Sequence, residues 1–161
     1  MRASLALLIV SLSIGCAHNS PVKPSALGNS ATLAYPLEVV WERTVHVLAA
    51  QIPVVQSADF AHFFITTGKA TVKLNETQAD CAMYSGSPYR KNGRTLTEVA
   101  YSVYLQRDGK RASIVVNAEI AGRFKASATQ ETTTELSCVS LGTLERELIT
   151  KIQQEQRWAS P

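Results

Sequence analysis

The chain has 161 residues and a formal net charge of +3. One ordinary domain of ~100–150 residues fits that length. So weak a charge sets the chain apart from nucleic-acid binders, which carry a strong basic footprint, and no nucleic-acid partner is expected.

The chain opens MRASLALLIVSLSIGC, with Arg2 the lone charge before Cys16 and an apolar run from Leu5 to Ile14. A positive start, a short apolar stretch and a small residue before a break predict a secretory signal peptide over residues 1–15. The run is shorter than the ~20 apolar residues a membrane-spanning helix needs. Its removal takes Arg2 with it and lowers the formal charge from +3 to +2. Leu12-Ser13-Ile14-Gly15-Cys16 resembles a bacterial lipobox, with Ser13 where Leu is commonest and Gly15 as the small residue at the cleavage point. The resemblance implies that Cys16 becomes the first residue and carries a diacylglycerol thioether and an N-acyl chain such as palmitate. No other cofactor is expected. Several chains make a stable anchor, because each buried CH₂ contributes ~0.8 kcal/mol and one chain alone is marginal. In the sorting pattern of enterobacterial lipoproteins, a non-Asp residue such as Ala17 implies the periplasmic face of the outer membrane.

Ala17 to Ala34 is rich in Ser, Pro, Asn and Ala and shows no apolar periodicity. With Cys16 it reads as a tether over residues 16–34, with a random-coil reach of ~25 Å. A single periplasmic domain is then expected over residues 35–158. After Tyr35-Pro36, the residues Leu37, Val40, Trp41, Thr44, Val45 and Leu48 recur at helical spacing, with Glu38, Glu42, Arg43 and His46 largely opposite. That is an amphipathic helix, and Pro53 cannot continue it. Val54 to Ser57 reads as a short strand, Ala58-Asp59 as a turn, and His62 to Thr67 as a second strand, being aromatic and β-branched. Ala70 to Leu74 is a third candidate. Met83 to Arg94 reads MYSGSPYRKNGR, a loop long enough to invite a functional role.

The clearest signal follows. Val99, Tyr101, Val103 and Leu105 alternate with Ala100, Ser102, Tyr104 and Gln106, and Ala112 to Ile120 alternates likewise. Arg107-Asp108-Gly109-Lys110 between them predicts a hairpin turn. The Thr-rich stretch from Thr129 leads to an extended segment near Cys138. Ser140 is placed to cap a last helix, with Leu141, Leu144, Leu148, Ile149 and Ile152 inward and Glu145, Arg146, Glu147, Lys151 and Gln154 outward. Two helices with one apolar stripe each and a sheet with one apolar face predict an α+β, helix-grip-like fold. Its antiparallel β-sheet carries an N-terminal and a C-terminal helix on one face.

Chemistry is sparsely marked. With Cys16 lipidated, Cys81 and Cys138 remain as an even pair in a chain bound for a compartment where disulfides persist, so a Cys81–Cys138 bond is expected. His18, His46 and His62 form no metal-ligand spacing, and no metal site is expected. Ser85-Gly86-Ser87 is not a nucleophile elbow, and acidic residues are scattered, so no catalytic residue is assigned and the chain is read as a non-enzyme. Binding is better marked. Tyr89, Arg90, Lys91 and Arg94 put an aromatic ring beside three cations, a candidate surface for an anionic envelope component or an acidic protein. Tyr84 and Tyr104 are further aromatic candidates, Tyr104 outward by alternation.

The lipobox, the polar tether and the helix–sheet–helix order resemble the accessory lipoproteins of the bacterial envelope, and the layout is similar to the helix-grip domains of the barrel-assembly machinery's C subunit. Cys138-x-x-x-Gly142-x-Leu144-Glu145 also resembles small proteobacterial lipoproteins of unassigned function. These resemblances imply a lipid-anchored, non-catalytic adaptor or scaffold and carry over no site residue except Cys16. The alternative is a small-molecule or lipid carrier with a cavity between helix and sheet.

Overall fold

A computed structural model describes residues 29–52, 55–84, 87–125 and 133–155. The signal peptide, Cys16, most of the expected tether and the tail around Trp158 lie outside the described residues. The elements in order are β1 (Ser30–Leu33), α1 (Leu37–Gln51), β2 (Val55–Asp59), β3 (Phe64–Thr67), β4 (Ala70–Thr71), β5 (Ala79–Asp80), β6 (Met83–Tyr84) and β7 (Ser87–Pro88). A 3-10 turn (Tyr89–Lys91), β8 (Thr95–Asp108), β9 (Arg111–Phe124), β10 (Thr134–Ser137), β11 (Val139–Ser140) and α2 (Thr143–Gln154) complete them.

The spine is the β8–β9 hairpin. Each arm has 14 residues, paired without a slip from Thr95↔Phe124 to Asp108↔Arg111. Period-two patterning on both arms fixes that register, because a slip by one residue would turn every buried side chain to water. Gly109 closes the turn at φ +60°, where a Cβ is strained. On one flank β3 pairs with β8 and β2 with β3; on the other, β1 and β10 pair with β9. With β4 beside β8, the sheet has seven strands, and every recorded pairing is antiparallel.

Both helices cover one face. Val40 and Leu48 of α1, Ile152 of α2, and Ile65, Val103, Ile114 and Val116 of the sheet are all fully buried between the layers. A second cluster of Leu74, Cys81, Val99, Ile120 and Leu144 lies toward the other end of the hairpin. The fold is therefore α+β, an antiparallel sheet with an N-terminal and a C-terminal helix.

Several local expectations are corrected. The domain begins before Tyr35, because Ser30–Leu33 is an edge strand on β9 with Leu33 buried. Four residues of mostly small and polar character carry too little alternation to stand out. Ala58 and Asp59 belong to β2, and the turn falls at residues 60–63 with His62 in it rather than in a strand. There Asp59 Oδ1 accepts the Ala61 and His62 N–H groups at 3.0 and 3.2 Å. Ser140 does not cap α2. The N-cap is Gly142, in the left-handed region, with no side-chain cap bond. Arg43 and Glu145, both expected outward, are buried.

A bare sheet face and a cationic sheet end as the candidate functional site

Alternation decides which side chains the helices cover. Odd positions of β8 and even positions of β9 point to the helices, and the opposite set forms the outer face. On that face Phe64, Tyr104 and Val115 lie side by side across three strands, with Phe64↔Tyr104 and Tyr104↔Val115 directly opposite one another. Phe64 is 38% and Tyr104 47% exposed. Their neighbours along β8 and β9 are small or polar, Ser102, Gln106 and Asn117 among them. Cross-strand aromatic pairs stabilise a sheet. One left open to water also offers a flat, rigid apolar patch, and Tyr is enriched where proteins meet. Tyr104 occupies the outward position its alternation predicts. Phe64 escapes a sequence reading because its partner is defined by long-range register.

The residues expected to form a basic contact loop divide. Tyr89 is turned inward: its ring meets Phe124 edge-on at 5.0 Å between centroids, its N–H donates to Ala82 O at 3.1 Å, and its carbonyl accepts the Thr95 hydroxyl at 2.6 Å. It is half-buried and packs against the second core cluster, so its ring is engaged within the domain rather than standing out beside the cations. Lys91 stays at the surface and pairs with Glu76 at 3.1 Å, both side chains more than 60% exposed. Such a pair contributes ~0–1 kcal/mol, so it holds Lys91 only weakly. Arg94 is exposed, and its N–H donates to Asn92 Oδ1 at 3.0 Å. Arg90 lies on the 3-10 turn; its side chain, like that of Tyr84, lies outside the described residues. Short β6–β7 pairing and the 3-10 turn give the segment regular structure where a long loop was expected. Beside it is a cleft of about 270 Å³, lined by Val72, Lys73, Lys91, Asn92 and Leu96 among others.

Cys81 and Cys138 are joined, with the sulfurs 2.08 Å apart. Cys81 follows β5, and Cys138 sits between β10 and β11. β5 pairs with β11 immediately beside the bond, so the disulfide ties the 72–82 segment to the strand that leads into α2. β9 runs close underneath: a Cβ added at Gly122 would lie 2.9 Å from Cys138 Sγ.

The buried polar residues look structural in their bonding. Glu145 Oε1 accepts the Ala118 N–H at 3.2 Å, and Oε2 accepts the Ser140 hydroxyl at 2.7 Å. The carboxylate thus fills the part of β9's edge between β1 and β10. Tyr101, opposite Ala118, has its pKa pushed up to about 12 by burial and then by the negative charge of Glu145 and Glu147. It is a hydroxyl kept neutral at any ordinary pH. The exposed His62 ring contacts Asp59 at 2.7 Å, and that hydrogen bond holds the Asp59 pKa below its usual value. Among the described residues no group of three His, Cys, Asp or Glu is placed to hold a metal ion. No described helix is long and apolar enough to cross a membrane. No family model matches the chain, and no curated protein matches it.

Proposed function

We propose that this chain is the precursor of a lipid-anchored envelope protein, held by acyl chains on Cys16 at the periplasmic face of the outer membrane. Its α+β domain serves as a non-catalytic adaptor or scaffold for another envelope component. The observation that carries the reading is the arrangement of the cysteines. Cys81 and Cys138 are bonded to each other, a state that persists in exported proteins. That leaves Cys16 as the odd cysteine, placed at the end of the apolar run where a lipobox has its acceptor. The bare sheet face supports the adaptor part: the helices bury one side of the sheet, while Phe64 and Tyr104 stand open on the other. Confinement to one leaflet raises the local concentration of the domain, so a modest patch suffices for a partner in the same envelope.

The start of β1 shortens the tether. Residues 17–28 separate Cys16 from the first described residue, Asn29. Fully extended, that stretch spans at most ~45 Å, which bounds how far the domain can stand from the leaflet.

Crosslinking in intact cells, followed by purification of the tagged protein, tests the adaptor. The expected result is a reproducible envelope-protein partner whose recovery drops at least tenfold when Phe64→Ser and Tyr104→Ser are combined. Both positions are exposed, so the variant keeps its fold, which circular dichroism checks. Undiminished recovery from the folded variant would exclude the sheet face as the contact.

A further inference from the structure

We propose that the sheet end carrying Val72, Lys73, Lys91, Arg94, Leu96 and Lys125 rests on the anionic lipid surface in which the protein is anchored; the proposal builds on the Cys16 anchor. Three observations converge on it.

The first is an exposed apolar pair in a fixed setting. Val72 is 37% and Leu96 53% exposed, and both line the cleft described above. The Val72 N–H donates to Thr97 O at 2.9 Å, and the Thr97 hydroxyl donates back to Val72 O. The pair is therefore held at the sheet surface by backbone bonds, not left on a loose loop.

The second is charge. Lys73 and Lys91 line the same cleft. Arg94 and Lys125 meet across the sheet end, where the Lys125 N–H donates to Arg94 O at 3.3 Å. All four are exposed; Lys91 pairs with Glu76, and opposite Leu96 stands Arg123, paired with Glu98. Each Lys or Arg near an anionic bilayer contributes ~1 kcal/mol. Apolar side chains with cations beside them match the layering of an anionic interface, with headgroups outside and acyl chains beneath.

The third is the direction in which β1 runs. β1 runs antiparallel to β9, with Ser30 opposite Val115 and Leu33 opposite Ala112. β1 therefore runs toward the β8–β9 turn, and its first residue lies on the Phe124 side of it. Val115 to Phe124 spans ~30 Å at strand rise. The residues from Cys16 to Ser30 extend to at most ~50 Å, so anchor and sheet end fit on one leaflet. The Phe64–Tyr104 pair, level with Val115, then stands ~30 Å out along the strands, clear of the lipid and open to a partner.

The opposite end is the competitor. Lys110 and Arg111 flank its turn, and Phe60 is 54% exposed there. However, the Phe60 ring is held against Trp41 and Phe63 at 5.5 and 4.9 Å, and β1 begins on the side away from that turn.

The test is lysine acetylation, read by mass spectrometry, on protein purified from membranes and reconstituted in excess vesicles. One set is phosphatidylethanolamine with phosphatidylglycerol; the other is phosphatidylcholine alone. The expected result is several-fold slower acetylation of Lys73, Lys91 and Lys125 in the anionic vesicles, with Lys110 and Lys151 unchanged. High salt should reduce the difference, as screening requires. Equal rates in both vesicles, or protection centred on Lys110, would overturn the proposal. The same digest reports the mass of the Cys16 peptide, so the two readings fail separately. Acylated Cys16 with even labelling removes the docking end and keeps the anchor. Bare Cys16 removes the anchor, and the lysine pattern then still decides whether this end meets anionic lipid.

Discussion

Two charged residues, Arg43 and Glu145, show how burial escapes a helical wheel. Arg43 is placed by its spacing opposite the apolar stripe of α1, yet it is 1% exposed. Its guanidinium stacks over the Tyr35 ring at 3.9 Å, and Nη1 donates to Gln153 O at 3.4 Å. An aromatic face and the negative end of α2 together replace a carboxylate. Glu145 is buried because, among the described residues, no strand pairs with β9 beside Ala118 on the edge between β1 and β10, and the carboxylate supplies the acceptor there. Neither cause is visible in a single helix; both depend on what the helix meets. Replacing Glu145 by Ala strands the Ala118 N–H and the Ser140 hydroxyl, each a loss of ~1–3 kcal/mol, and Glu145→Gln should lose clearly less. Urea unfolding of the two variants checks the order; equal losses would mean that the carboxylate contributes packing and no hydrogen bonds. Tyr101 adds a pH signature. Unfolded tyrosine titrates near ~10, and folded Tyr101 near about 12. As pH rises through that window the unfolded chain loses this proton first, so stability present below it is progressively lost. Tyr101→Phe should flatten the decline between those limits, and an unchanged slope would contradict the burial of the hydroxyl.

At the scale of elements, the legible parts were those whose pattern is local. The β8–β9 hairpin has period two on both arms and a glycine turn, and α1 has a long apolar stripe; both lie where the sequence places them. β1 is four residues long and becomes a strand through β9. The 83–94 segment gains its structure from Tyr89 docking on Phe124 and from Cys81 being held by Cys138. Tyr89 looked like a contact residue because an aromatic beside cations reads the same whether its ring points out or in. Phe64 could not be singled out at all, because its exposure follows from pairing with Tyr104 forty residues away in sequence. The disulfide spans 57 residues. Closing a loop of that length restricts the unfolded chain by about 4 kcal/mol in the chain-entropy model. Replacing Cys81 and Cys138 together by Ala should lower the unfolding free energy by that order. A loss near zero would mean that the β5–β11 pairing and second core cluster hold the segment unaided.

The whole molecule divides its surface by direction. The helices close one face of the sheet, the aromatic pair lies open on the other, and the cationic end lies beyond the start of β1. On the proposed Cys16 anchor this arrangement has a purpose, since an end resting on lipid and a patch held away from it would form a sequence from membrane to partner. A carrier would need space between helices and sheet, and that layer is filled by Val40, Leu48, Ile114, Val116 and Ile152. The account therefore turns on Cys16. The most direct measurement is the mass of the N-terminal peptide of the protein purified from the outer-membrane fraction of expressing cells, beside the Cys16→Ala variant. The account predicts a chain that begins at Cys16 and carries diacylglycerol and an N-acyl group, and a variant that stays as unprocessed precursor outside that fraction. An unmodified Cys16, or a variant that still fractionates with the outer membrane, would contradict it.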